Sequence, residues 1–226
     1  MLFWSLWLCE RPFLRAYGNQ APHPHIVPSD VSAAVMASSS QTEQEDSYES
    51  VYIDKSRLRE SDLDLQVYIF YLGVYASDSS LPNLPGNAWA IFLQIFPTES
   101  VSIRITRSTD GHGIVTLESL DDVYSCGLAR VMRFDTVGQP TVRQLLRILI
   151  EKGRDKYLFA EWGRGQRHWF YTVLKDWEDE ELLIEGSSER AKEMLEGYWY
   201  GELASYSMTI VAGTFTESVD DAGQDE

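Results

Sequence analysis

The sequence predicts an α+β domain: an antiparallel sheet from the N-terminal half, with two to three C-terminal helices packed on one of its faces. Two patterns support this prediction. Residues 63–135 hold short stretches that are rich in β-branched and aromatic residues, or that alternate apolar with polar, as strands do. Beyond Thr141 the apolar residues recur every three to four positions, as on amphipathic helices. The chain of 226 residues, 44% of them hydrophobic, is long enough for one domain with a core.

Five strands are expected from the first pattern. Pro97 and Thr98 leave only a short turn between the second and the third strand, so these two are expected to form an antiparallel hairpin. Residues 76–86 are rich in Pro, Ser and Gly and are expected to form a loop. The predicted strands are residues 63–74, 87–96, 100–107, 113–119 and 129–135.

The second pattern predicts helices. A first helix is expected over residues 141–153, capped by its threonine and ended by its glycine. A central helix is expected over about residues 166–183. Along it Trp169, Val173 and Trp177 stand at i, i+4 and i+8, which places them on one apolar face. That face is therefore expected to pack on the sheet.

A last helix and a last strand complete the predicted domain. Gly186 is expected to stop the central helix, and Ser187 or Ser188 to cap a further helix that runs to about Trp199. Residues 207–214 are then expected to form a final strand.

The composition divides the chain into three parts. Residues 1–61 are interpreted as a disordered or mispredicted N-terminal extension and linker, because their second half is rich in Ser, Gln and Glu. Residues 62–205 are expected to form the single globular domain, and residues 206–226 a last strand and an acidic tail.

The first residues leave the start and the destination of the protein open. The apolar run MLFWSLWL is too short to span a membrane and lacks a basic segment before it, so a weak signal peptide, a transit segment and a wrongly assigned start are all retained. Met36 opens a stretch typical of the beginning of a cytosolic protein. With only Cys9 and Cys126 there is no disulfide framework. We therefore expect a cytoplasmic protein, with secretion by a weak N-terminal signal as the alternative.

The charge distribution limits the classes of partner. The net charge is −16, and from Lys175 onward 15 acidic and 3 basic residues give a net of −12. Residues 141–168, with 7 basic and 3 acidic residues, carry +4. Repulsion by the whole chain argues against nucleic acid and anionic membranes, and no membrane span is expected. The basic segment faces either an acidic partner or the acidic C-terminal helix of its own chain.

No metal or cofactor is expected from the sequence. His23 and His25 flank a proline, and further ligands do not stand nearby. The glycine-rich GRGQR before the central helix lacks the Gly-Lys-Ser/Thr ending of a phosphate-binding loop.

Several short motifs recur through the predicted domain: Asn87-x-Trp89, Gly153-Arg154-Asp155-x-Tyr157-x-Phe159, Gly163-x-Gly165-x-Arg167-x-Trp169, Tyr171-Thr172-Val173 with Asp176, Gly186-Ser187 and Tyr198-Trp199. Together they resemble a fungal family known only as a domain of unknown function, DUF7770. The resemblance covers about residues 66–200 and implies a fold and a lineage but no reaction.

The family's usual motifs point to a papain-like ancestry. Its members tend to carry Asn-His-Trp in the strand and Gly-Cys-Arg-x-Trp at the head of the helix, which is similar to the permuted papain-like arrangement of lecithin-retinol-acyltransferase-like proteins. A thiol at a helix N-terminus beside an imidazole is activated as a nucleophile. The matching positions here are Ala88 and Gln166, so the resemblance implies that this pair is absent. We expect a non-catalytic groove lined by Asn87, Ala88, Trp89, Gly165, Gln166, Arg167 and His168.

Two functions are carried forward. The first is a non-catalytic binding or interaction module with a degenerate papain-like site, which takes a protein or small-molecule ligand on its many Trp and Tyr residues. The alternative is an enzyme: a thiol hydrolase or acyltransferase with a displaced site, or a tailoring enzyme of fungal secondary metabolism. A displaced thiol site requires Cys126 within about 4 Å of His112 or His168.

Overall fold

Six strands form one sheet, and three helices lie against one face of it, as the α+β prediction requires. The computed structural model describes residues 50–76, 86–200 and 204–216, so the predictions for most of the N-terminal extension and for the acidic tail fall outside the described residues. The strands of the sheet are β1 (Ile53–Arg57), β2 (Ile69–Tyr75), β3 (Trp89–Phe96), β4 (Glu99–Arg107), β5 (Gly113–Leu120) and β6 (Leu128–Asp135).

The strand order is β1-β5-β4-β3-β2-β6. Every neighbouring pair is antiparallel except β1 and β5, which run parallel. The predicted hairpin is confirmed, since β3 and β4 pair directly across the turn at residues 97 and 98. The helices are α1 (Val142–Glu151), α2 (Gln166–Asp179) and α3 (Ser187–Leu195). Four short strands form two further pairs, β7 (Tyr157–Leu158) with β10 (Thr214–Phe215) and β8 (Gly197–Trp199) with β9 (Ala204–Ser207).

The core lies between the sheet and the helices. Trp169, Val173 and Trp177 are each no more than 1% exposed, which confirms the predicted apolar face of α2. The Phe70 ring of β2 meets the Trp177 indole edge-on at 5.3 Å, a favourable aromatic geometry. The apolar face of the central helix is therefore part of the core.

The helix boundaries differ from the prediction where distant residues decide them. The central helix ends at Asp179 rather than at Leu183, because Glu181 turns to φ 57° and residue 183 bridges to Thr136 beside β6. The last helix ends at Leu195 rather than at Trp199, because residues 197–199 pair with β9.

The caps agree with the sequence for the first helix only. Thr141 forms a capping box with Gln144, and Gly153 stands just past the helix with φ 65°. The predicted serine cap of α3 is wrong. The carboxylate of Glu178, on α2, accepts instead from the backbone N–H groups of Gly186 (3.0 Å) and Ser188 (2.6 Å).

Two predicted strands differ from the structure. The strand predicted over residues 63–74 begins only at Ile69, because a 3₁₀ turn occupies Glu60–Asp64. Asp62 in that turn is buried and accepts from Arg59 Nε (2.9 Å) and Ser119 Oγ (2.7 Å), which fixes the turn. The final strand predicted over residues 207–214 is wrong, since 208–213 hold no regular structure between β9 and β10.

The linker prediction is wrong for residues 50–61. Strand β1 pairs with β5, placing Ile53 opposite Val115 at the edge of the sheet. Ser50 Oγ donates to the buried carboxylate of Asp155 at 2.6 Å. The Tyr52 ring stacks on His112 at 5.5 Å. A polar edge strand of this kind gives no apolar alternation to recognise, because one of its faces and one of its edges stay in water.

The N-terminal strand is expected to contribute measurably to stability. A chain that begins at residue 61 should unfold with a free energy about 2–4 kcal/mol lower than a chain that begins at residue 49, because the ladder to β5 and the Asp155 contact are lost. Urea unfolding followed by circular dichroism measures the difference. Equal midpoints would show that β1 does not stabilise the domain.

Candidate functional site

A cavity of about 470 Å³ opens where three segments meet: the residues before β3, the loop before α2 and the residues after β9. Of the seven residues predicted to form a groove, the structure places five on its wall, Asn87, Ala88, Gly165, Gln166 and Arg167. Sequence reasoning missed Trp162, Arg164, Met208, Thr209 and Val211, which also line it.

The other two predicted groove residues lie outside the described cavity wall. Trp89 is the first residue of β3, and its side chain is buried in the core, with 1% of the residue exposed. His168 lies in the first turn of α2, where its ring packs against Tyr157 (6.3 Å between centroids) and Phe215 (5.8 Å). Both side chains therefore pack against residues next to the cavity and do not line it.

The Tyr157 hydroxyl connects the loop before α2 to the C-terminal segment. It donates to the carbonyl of Gly165 and accepts from the N–H of Gly213, each at 2.8 Å. A Cβ on either glycine would lie within 2.7 Å of the hydroxyl, and Gly165 has φ 119°, so no other residue fits these positions. Burial raises the pKa of Tyr157 to about 12, so this phenol stays protonated and structural.

His168 completes this network as a neutral imidazole. Burial, and then the positive charge of Arg154, lower the pKa of His168 below its usual value. Its Nδ1 lies 3.4 Å from the Tyr157 hydroxyl. The His168 ring thus contacts both Tyr157 and Phe215 and helps to connect α2 to the C-terminal segment.

Ala88 and Gln166 both line the cavity. Gln166 Nε2 donates to the carbonyl of Ile105 at 2.8 Å, which ties the start of α2 to β4. Ala88 offers only a methyl group. Neither residue supplies a base or a nucleophile at neutral pH.

Asn87 is buried and joins three backbone segments. Its Nδ2 donates to the carbonyls of Tyr75 (3.0 Å) and Trp199 (2.9 Å), and its Oδ1 accepts from the N–H of Trp199 at 2.9 Å. The residue therefore holds β8 against the ends of β2 and β3.

Two arginines carry the charge of the cavity wall. Arg167 Nη2 donates to Asn87 Oδ1 at 3.4 Å, and its guanidinium lies 5.7 Å from the centre of the Trp89 ring. Arg164 is exposed, and its Nε donates to the carbonyl of Glu161 at 3.3 Å. Among the described lining residues none is acidic.

The described contacts place the residues of the proposed displaced thiol site on different partners. The His112 ring stacks on Tyr52, and the hydroxyl of Ser125, next to Cys126, accepts from Arg104 Nη2 on β4 at 3.3 Å. The segment before Cys126 crosses the face opposite the helices, where Tyr124 meets Tyr71 at 5.6 Å. His168 lies on the helical side.

The described residues hold no group of three or more His, Cys, Asp or Glu side chains that could bind a metal ion. No helix in the same part of the chain has the length and apolar character that crossing a membrane requires.

Comparison with known proteins identifies the lineage. Residues 73–216, more than half of the chain, match the family described as "Domain of unknown function (DUF7770)". No curated protein and no solved structure matches the chain. The papain-like similarity is not confirmed by these comparisons and stays a prediction. The chain belongs to the DUF7770 family.

Proposed function

We propose that this domain is a non-catalytic binding module that holds a small molecule in the cavity at the start of α2. The observation that carries the proposal is the cavity itself. Its volume of about 470 Å³ lies within the range of roughly 300–1,000 Å³ that small-molecule sites occupy. Its wall combines apolar surface from Ala88, Met208 and Val211 with a few polar groups, as such sites do.

The wall is held in place before any ligand arrives. Gln166 fixes the start of α2 to β4, Tyr157 fixes the preceding loop to the C-terminal segment, and Asn87 fixes the start of β3 to β8. A site whose walls are already ordered loses less conformational entropy on binding. This arrangement supports a preformed binding site.

The chemistry of the wall supports binding rather than catalysis. The described lining includes no Cys, Ser, His, Lys, Tyr or acidic residue, and Thr209 is its single hydroxyl. A nucleophile needs a base within hydrogen-bonding reach, and the described wall offers none.

We also propose that the protein is cytoplasmic. Cys126 presents its thiol on the surface. Exposed thiols persist in reducing compartments, whereas oxidising compartments convert them to disulfides. This supports the cytoplasm over the secretory route.

The proposal is tested with Nile red, a neutral dye that fluoresces in apolar sites. The wild type is expected to bind the dye saturably, and Ala88→Trp is expected to weaken binding at least tenfold by filling the cavity. Val137→Trp is the matched control, since Val137 is 42% exposed and precedes α1 outside the cavity wall. Equal binding by wild type and Ala88→Trp would overturn the proposal.

A further inference from the structure

We propose that the ligand of this cavity is a flat organic acid, with its anionic group on the side of Arg164 and Arg167 and its ring system against Trp162. This inference rests on the proposed function and narrows it to a chemical class. Three features of the wall carry it: the sign of its charge, the position of one tryptophan and the apolar part of the lining.

The charge of the wall is opposite to the charge of the protein. The chain carries −16, yet the charged residues of the described wall are both arginines. Asn87 and the Trp89 ring fix the orientation of the Arg167 guanidinium. A guanidinium offers a planar set of donors that matches a carboxylate. The wall therefore selects an anion that the remaining surface repels.

The first turn of α2 adds to the same preference. Gly165 is the N-cap and provides no side chain to bind the first backbone N–H groups of the helix. Such an N-terminus carries about half a positive charge. Because Gln166 and Arg167 line the cavity, this partial charge acts at the same wall as the two guanidinium groups.

Trp162 occupies an unfavourable position at the edge of the cavity. Its side chain is 77% exposed, and its backbone is left-handed at φ 62°, which only glycine adopts without cost. Such a conformation costs on the order of 1–3 kcal/mol and persists where the surrounding structure imposes it. Here the N–H of Ala160 donates to the carbonyl of Arg164 at 2.9 Å and closes the turn. The loop thus holds an indole in water beside the site, where a flat ligand can stack on it.

The apolar surface of the wall accommodates the body of such a ligand. Met208 and Val211 follow β9 and line the cavity together with Ala88. Methionine adapts to ring systems of different shape, because its side chain is unbranched and polarisable. A volume of about 470 Å³ holds a ring system of two or three fused rings together with water.

The test uses a matched pair of probes, 2-naphthoate and 2-naphthamide, titrated calorimetrically into the full chain. The acid is expected to bind at least tenfold more tightly than the amide. Arg164→Gln should reduce this preference at least threefold, because it removes one of the two charges. Trp162→Ala should weaken both probes by a similar factor and leave the preference intact, because stacking does not depend on the charge. Both residues are exposed, so both variants are expected to fold.

A charge-matched control isolates the local effect. Arg147→Gln removes an exposed arginine from α1, where Arg147 lies 3.5 Å from Glu151, and should leave both affinities unchanged. An amide that binds as tightly as the acid, or a failure of both probes to bind while Nile red binds in the cavity, overturns the ligand class and leaves the proposed function standing. If Nile red binding is also insensitive to Ala88→Trp, the proposed function fails with it.

Discussion

Replacing Trp169 by alanine is expected to lower the free energy of unfolding by about 3–5 kcal/mol. The indole is completely buried between the helices and the sheet, so its removal leaves a cavity that rigid neighbours cannot fill. Its Nε1 also donates to the carbonyl of Arg154 at 2.6 Å, and that carbonyl would lose this partner. Urea unfolding of the two proteins at the same pH measures the loss.

The chain offers a matched control for this change. Trp162→Ala removes the same side chain from a position that is 77% exposed, and it is expected to alter stability by no more than about 0.5 kcal/mol. A loss below about 1 kcal/mol for Trp169→Ala would contradict the tight packing of α2 on the sheet. The contrast also separates the structural tryptophan from the one that we assign to the ligand.

The sequence predicts those elements whose burial repeats locally. In β4, Val101, Ile103 and Ile105 alternate with polar neighbours and are all buried on the helical side. In α2, the i, i+4, i+8 spacing of Trp169 and its partners places them on the core face. Their sequence period is sufficient to predict these elements, because the apolar residues recur at the spacing that places them on one face of a strand or a helix.

Elements that depend on distant partners escape this reasoning. Strand β1 has a polar sequence, and its pairing with β5 joins Ile53 to Val115. Tyr198 and Trp199 continue the helical spacing of α3, yet Asn87, 112 residues before Trp199, draws the backbone of Trp199 into a strand. A window of ten or twenty residues contains neither partner.

The candidate site divides in the same way. Ala88 and Gln166 were expected to share a groove because a family pattern paired them, and both line the cavity. Trp162 and Arg164 stand in the same glycine-rich loop, and a lone tryptophan before a glycine was a signal that could have been used. Met208 could not be found, because the C-terminal segment returns to the site through long-range contacts, such as the β7–β10 pairing and the Tyr157–Gly213 hydrogen bond.

Replacing Asn87 by leucine is expected to cost about 2–4 kcal/mol, although the two side chains are similar in size. Asn87 is 5% exposed, and its amide satisfies the carbonyls of Tyr75 and Trp199 and the N–H of Trp199. Leucine leaves these three backbone groups without that partner, and buried polar groups without partners cost about 1–3 kcal/mol each before relaxation. Chemical unfolding gives the loss.

The hydrogen bonds of the Asn87 amide predict which variants of this position lose most free energy of unfolding. Asn87→Asp should be at least as damaging as Asn87→Leu at neutral pH, because a carboxylate accepts but cannot donate to the two carbonyls that now face its charge. Gln94→Leu is the control at the other end of β3, where the amide donates at the surface to the Pro97 carbonyl at 3.2 Å, and it should cost less than about 1 kcal/mol. If Asn87→Leu costs no more than Gln94→Leu, the amide does not hold β8 in place. Asn87 Oδ1 also accepts a hydrogen bond from Arg167 Nη2 and so helps to orient this guanidinium. Asn87→Leu and Asn87→Asp, where they still fold, should therefore alter the affinity for 2-naphthoate.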